Sequence, residues 1–276
     1  MLYSKFLFLA LAISAALLAF LPAPSSLADG SPGDSPWSLT ATSSVATSLY
    51  KFETNNRTID TEFALLPKYQ MSQRASLSLN ASVSKGLSGT RQTLLNDAYL
   101  SYIHNGGVIN NFIRWGFSSS VIAPLSIQSR KNDSLLTAIV VAPSFVFNLK
   151  KLGIEHLVPS YTFSLSKSFH QYSTSVTGKP RKEYNLKNRF DLTYFISEVL
   201  DIGASYTHAT AWTYQGTRSN AFSLGQYLSY KVNRDLYWSV GHENGGNTLR
   251  ANGQDSNISF INPDASSIYT SLRYRF

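Results

Sequence analysis

Along most of the chain, apolar and polar residues alternate one for one. Trp37, Leu39, Ala41, Val45 and Leu49 are interleaved with Ser38, Thr40, Thr42, Ser44 and Ser48. Leu77, Leu79, Ala81 and Val83 alternate with Ser76, Ser78, Asn80 and Ser82, and Leu186, Phe190, Leu192, Tyr194 and Ile196 with Lys187, Arg189, Asp191 and Thr193. A period of two is the signature of a β-strand with one apolar and one polar face. It predicts about twelve strands, with ten to about fourteen compatible with the pattern. They fall at 37–50, 58–70, 75–86, 94–104, 111–121, 134–148, 156–170, 184–197, 202–214, 220–232, 236–243 and 265–276. Segments 94–104 and 134–148 are ambiguous, the latter because both of its faces are apolar.

A soluble sandwich also alternates, so strand length decides. These segments run about 10–15 residues, whereas soluble strands average about 5–6 and a tilted strand crossing a bilayer needs about 9–11. In hydrocarbon every backbone N–H and C=O must find a partner within the protein, so a membrane sheet has to close on itself. The reading is all-β: a transmembrane, antiparallel, up-and-down β-barrel. Short connections such as Met71–Arg74 and Asn233–Asp235 alternate with longer ones such as Ile122–Asp133, Gln171–Glu183 and His242–Asp264, as short periplasmic turns alternate with outer loops. Trp37, Tyr69, Tyr102, Trp115, Phe147, Tyr194, Tyr230, Trp238 and Tyr274 lie near turns, where an interfacial girdle belongs.

Composition fits such a wall. Only 14% of residues are charged, and there are 16 Tyr and 16 Phe. The absence of cysteine removes disulfides, thiolate metal sites, thiol catalysis and lipoprotein anchoring. Lys5, the apolar run Phe6 to Leu21, the prolines at 22 and 24 and the small-x-small site Ser26-Leu27-Ala28 read as a secretory signal peptide over 1–28. Residues 29–36 read as a short flexible segment and 37–276 as one barrel domain. The chain carries a net charge of +8, and removal of Lys5 with the leader lowers it by one.

The chain ends on Ile268, Thr270, Leu272, Tyr274 and Phe276, alternating with polar residues. This terminus resembles the C-terminal signal of bacterial outer-membrane β-barrel proteins, a porin-like family. The resemblance implies that Ile268, Leu272, Tyr274 and the terminal Phe276 are read by the barrel assembly machinery. It also implies an outer membrane of Gram-negative type, with outer-membrane lipid around the wall. Thr270 departs from the apolar pattern, and no internal motif names a subfamily.

If the apolar set faces lipid, the other set faces the lumen. That set includes Lys68, Arg114, Lys187, Arg189, Lys231, Arg273 and Arg275, with Glu62, Asp97 and Asp191. Seven basic against three acidic side chains predicts a positive interior, and rings of Arg and Lys favour anions. The expected function is a small porin passing small solutes with an anion bias. The alternatives are a closed structural or adhesion barrel acting through its outer loops, in which charges such as Lys187, Arg189 and Asp191 pair and plug the interior, and an outer-membrane lipid hydrolase.

The hydrolase reading is weak. Outer-membrane phospholipases carry His-x-Ser-x-Gly, but His242 is followed by Glu243 and Asn244, and Asn is no nucleophile. His208-Ala209-Thr210 has a hydroxyl at that spacing but faces lipid in this register. Gly245-Gly246-Asn247 reads as a loop turn. The five histidines show no metal-ligand spacing, and no cofactor is expected. Positive charge is dispersed along strands rather than gathered with aromatics on one surface, so nucleic acid is not an expected partner.

Overall fold

The computed structural model describes residues 35–49, 58–88, 91–175, 177–250 and 252–276. The leader at 1–28 and most of the segment at 29–36 lie outside them. Thirteen strands form one sheet: β1 (Trp37–Ser48), β2 (Ile59–Gln70), β3 (Ala75–Gly86), β4 (Thr93–Leu95), β5 (Ala98–Ile109), β6 (Ile113–Ala123), β7 (Leu135–Phe147), β8 (Leu157–His170), β9 (Lys182–Phe195), β10 (Leu200–Thr213), β11 (Arg218–Lys231), β12 (Leu236–Asn247) and β13 (Ser267–Arg275). Every pairing is antiparallel, each strand lies beside its sequence neighbours, and β1 pairs with β13 to close the sheet. Closure leaves only the three-residue β4, at the loop end, with an unpaired side among the described residues, the arrangement a bilayer demands of the wall.

The barrel has twelve wall positions rather than thirteen, because β4 and β5 share one. The first half of β3 pairs with β5 and the second half with β4. Asn80 faces Tyr99 and Ser84 faces Leu94, so four steps on β3 match five on its partner. The extra residue is a bulge at Asn96-Asp97, which explains why the alternation around 94–104 is hard to read.

Two sequence expectations are corrected. Gly245, Gly246 and Asn247 do not form a turn: β12 continues through them, paired with Ser223, Phe222 and Ala221, so the last loop begins after Asn247 and not at His242. Likewise β5 runs on through Gly106 and Gly107 to Ile109, accommodated by an irregularity between Asn105 and Val108. The reversal there is made by Asn110 and Asn111, at φ +53° and +55°. Positive φ at both central residues matches the twist of a tight hairpin, and Asn tolerates it better than most residues.

One end of the barrel, the turn end, carries Trp37, the short connections and Phe276; the loop end carries the longer connections. At the turn end side chains cap the backbone locally. The Asn233 side-chain oxygen accepts from the Asp235 and Leu236 amides, both at 2.9 Å, and the Ser197 hydroxyl accepts from Val199 and Leu200. All nine predicted girdle aromatics belong to the outward-facing register of this same end. Trp37 packs on Tyr69 with ring centroids 4.7 Å apart, and Tyr274 on Phe276 at 4.6 Å.

Candidate functional site: the inward wall

Register and electrostatics identify the inward face. The Thr193 hydroxyl of β9 lies 3.1 Å from the Tyr227 hydroxyl of β11, across β10, and Arg189 of β9 lies within range of the charge of Glu243 on β12. β9 and β12 have two strands between them. Side chains so far apart along a curved wall meet only on its concave side. The opposite register carries the exposed apolar residues: Val45, Phe63, Leu100, Val121, Ile139, Leu165, Phe190, Leu192, Ile202, Trp238 and Leu272 are each 39–53% exposed. Burying that band in hydrocarbon rather than water is what the hydrophobic effect favours.

Nine of the ten charged residues nominated from the sequence share the inward register, and Asp97 lies in the bulge between β4 and β5. Lys68 pairs with Ser38 and Ser78, Glu62 with Ser44 and Ser84, and Arg114 with Val146. Lys187, Arg189 and Asp191 pair with Ser164, Thr162 and Ser160. Lys231 faces Tyr237, Arg273 faces Tyr237 and Thr42, and Arg275 faces Thr40. Asp97, beside the bulge, accepts hydrogen bonds from the Ser126 amide at 2.8 Å and the Ser129 hydroxyl.

The same register adds three acids that the alternation count missed. Asp60 faces Ala46 and Gly86, Asp201 faces Ser229, and Glu243 faces Gly225 and Ser267. Asp201 also interacts with Arg273, three strand positions away across the interior. These thirteen groups are seven basic and six acidic, and Lys182, opposite Thr213 at the loop end of β9, stands in the same register. Asp60 alternates in the same polar set as Glu62 and Lys68 and was within reach of the sequence, Asp201 sits at a strand end where alternation gives least phase information, and Glu243 lay in the stretch read as the approach to a turn.

Among the described residues, Arg189 and Asp191 are the two nominated groups that form an ion pair. The Arg189 Nε lies 2.8 and 2.9 Å from the two Asp191 oxygens, and an Nη lies 2.7 Å from Oδ1. Lys187 does not extend this pair into a ladder. The Arg189 side chain remains 55% exposed, so the pair contributes at most about 1 kcal/mol to stability.

Two tyrosines narrow the wall beside it. Tyr227 lies across Gly203 and Tyr269 across Gly241, close enough that a Cβ at either glycine would stand 2.3 to 2.5 Å from a ring carbon. Only glycine permits such an approach, and the ring covers the bare backbone in return. The Tyr227 hydroxyl also bonds Thr193 at 3.1 Å.

At the loop end, the connection between β6 and β7 leans onto Asp97, and Arg181 holds it from the other side. Buried to 5% exposure, Arg181 donates to the carbonyls of Asn132 at 2.7 Å and Thr174 at 2.9 Å, and lies 3.4 Å from Asp133. Below this rim, Asn96 bonds Ser82, Ser84 and Glu62.

The histidine stretches sit elsewhere. His242 lies on the outward face with Nδ1 2.8 Å from Gln226, while Glu243 faces inward. His208 also faces outward, paired with Phe222 and Asn188, and the Thr210 hydroxyl donates to Asn220 at 2.9 Å rather than to a histidine. Neither stretch assembles a nucleophile with a base.

In sequence, the chain matches no protein-family model and no curated protein. In structure it is similar to the COG4313 outer-membrane channel from Pseudomonas putida F1, with a TM-score of 0.58 at 11% identity over 90% of this chain and 100% of that one. It is also similar to the NanC porin, with a TM-score of 0.55 at 9% identity over 86% and 98%. The chain has the fold of the outer-membrane β-barrel channels.

Proposed function

We propose that this protein is a small outer-membrane porin through which small hydrophilic solutes diffuse passively. The observation that carries the reading is a closed twelve-position wall whose inward register is rich in Ser, Thr, Ala, Gly, Tyr and charged groups, while its outward register is mostly apolar. A barrel of this strand number lies between filled eight-stranded barrels and wide sixteen-stranded pores. The structurally similar proteins are an outer-membrane channel and a porin. The turn end then faces the periplasm and the loop end the exterior.

Transport in this reading needs no chemistry. Inward Ser and Thr hydroxyls replace part of a solute's hydration, and charged side chains on a low-dielectric wall set which sign enters easily. The anion bias resides in the basic groups, and it is modest because the inward acids nearly balance them. The ordered rim built by Arg181, Asp97 and the β6–β7 connection favours a second reading, a narrow or closed surface barrel acting through its loops.

Single-channel recording on the refolded mature chain in a planar bilayer under a salt gradient separates the two. Stable conductance steps with an anion-leaning reversal potential are expected. Silence from protein shown to be folded would reject the porin and leave the surface barrel.

A further inference from the structure

The inward charges are sorted along the barrel axis. Within three residues of the turn end of their strands lie Lys68, Arg114, Lys231, Arg273 and Arg275, opposed there by Asp201 alone. The loop-end half carries Asp60, Glu62, Asp97 and Glu243, against Lys182 and Lys187 of β9. Between them sits the Arg189–Asp191 pair, internally compensated. Arg130 and Lys131 lie above, exposed on the β6–β7 connection.

We infer that the lumen is bipolar, acidic on its outer half and basic on its periplasmic half, and that it rectifies ionic current, with Asp60, Glu62 and Glu243 as specificity-determining residues of the outer half. This rests on the porin reading above.

The acidic half concentrates cations and the basic half anions, because low-dielectric walls focus the field of their charges. With the outer side positive, cations drift inward from the acidic half and anions outward from the basic half. Both accumulate where the halves meet, and conductance is high. With the field reversed both are drawn away, the junction is depleted, and conductance falls. An ion of either sign also crosses one unfavourable half, so only weak selectivity is expected despite the basic groups. At 0.1 M salt the screening length is about 10 Å, so the halves stay distinct; at 1 M it is about 3 Å and the wall charges no longer reach the axis.

The test is single-channel current against voltage in symmetric KCl. Orientation is read by introducing Gln254→Cys, in the outer loop after β12 of a chain that otherwise lacks cysteine, and adding an impermeant maleimide to one side. The expected result at 0.1 M KCl is about twofold more current with the outer side positive, declining toward equality at 1 M. The triple variant Asp60→Asn, Glu62→Gln, Glu243→Gln should lose this asymmetry and become more anion-selective. The variant Lys231→Gln, Arg275→Gln should also lose it and shift toward cations. Two opposite selectivity shifts with the same loss of asymmetry would not arise from a structural defect. Linear current in the parent, or greater current with the outer side negative, overturns the inference while leaving the porin intact. Absence of conductance from folded protein overturns both.

Discussion

Val140 and Val141 are adjacent, identical residues near the middle of β7, and the structure gives them opposite environments. Val140 faces inward, paired with Ser120 and Ser166; Val141 faces outward, paired with Ser119 and Leu165. Ile139, on the same side as Val141, is 43% exposed, and Leu165 is 39% exposed. An arginine on the lipid face near the bilayer midplane costs about 2–4 kcal/mol. An arginine at Val140 enters a hydroxyl-lined aqueous interior, where the cost is the lost valine contact and weak repulsion from nearby bases, about 0.5–1 kcal/mol. The pair Val140→Arg and Val141→Arg should therefore differ by roughly 2–3 kcal/mol although chemistry, strand and depth are the same.

The assay is reversible unfolding in guanidinium chloride of protein folded into lipid vesicles, followed by tryptophan fluorescence. With a slope of about 2–6 kcal/mol per molar, Val141→Arg should unfold at a midpoint roughly 0.3–1.5 M below Val140→Arg. Equal midpoints would mean that β7 does not separate lipid from water. A lower midpoint for Val140→Arg would mean that the assigned faces are inverted, and the lumen assignment of every charged residue would fall with it.

Three further outcomes are expected. Replacing both Arg189 and Arg273 by Glu should move the reversal potential toward cations, and an unchanged potential would place these residues off the conducting path. Arg189→Ala alone should leave the unfolding midpoint within about 1 kcal/mol of the parent, because its ion pair is half exposed; a larger loss would make the pair structural. Gly241→Val, measured in the same unfolding assay, should cost about 1–3 kcal/mol by forcing the Tyr269 ring aside, and Gly241→Val with Tyr269→Ala should recover part of that loss.

The phase of each strand was legible wherever its two faces differ in chemistry. On β9, Lys187, Arg189 and Asp191 against Leu186, Phe190 and Leu192 leave one solution, since a one-residue slip would put three charges in lipid. β7 offers no such contrast: Ile139, Val141 and Phe145 alternate with Ala138, Val140 and Val146, and side-chain size is the sole cue. Pairing with β6 and β8 supplies what is missing, because Ser118 and Ser120 pin Ala142 and Val140 to the inward side. The glycine-rich end of β12 failed for a related reason. Gly245-Gly246-Asn247 has turn composition, but pairing with β11 holds it extended, and local propensity yields to the ladder. The bulge at Asn96-Asp97 left a single trace in sequence, a strand whose alternation loses phase partway.

Terminal residues carry a distinct argument, because their packing in the folded barrel is slight. Phe276 is 68% exposed; its amide donates to Leu39 at 2.8 Å and its ring packs on Tyr274. Removing one exposed ring at the membrane interface takes little from the finished wall, about 1 kcal/mol or less on the scale of an aromatic pair. If the terminus is instead read during assembly, the loss falls on the path to the membrane and not on the final state. Deletion of Phe276 should then lower the folded amount reaching the outer membrane severalfold, while protein refolded in vitro unfolds within about 1 kcal/mol of the parent. Heat-modifiable mobility on gels measures the first quantity and denaturant midpoints the second. Normal outer-membrane levels would reject the assembly-signal reading, and equal losses in both assays would assign Phe276 to closing the β1–β13 seam.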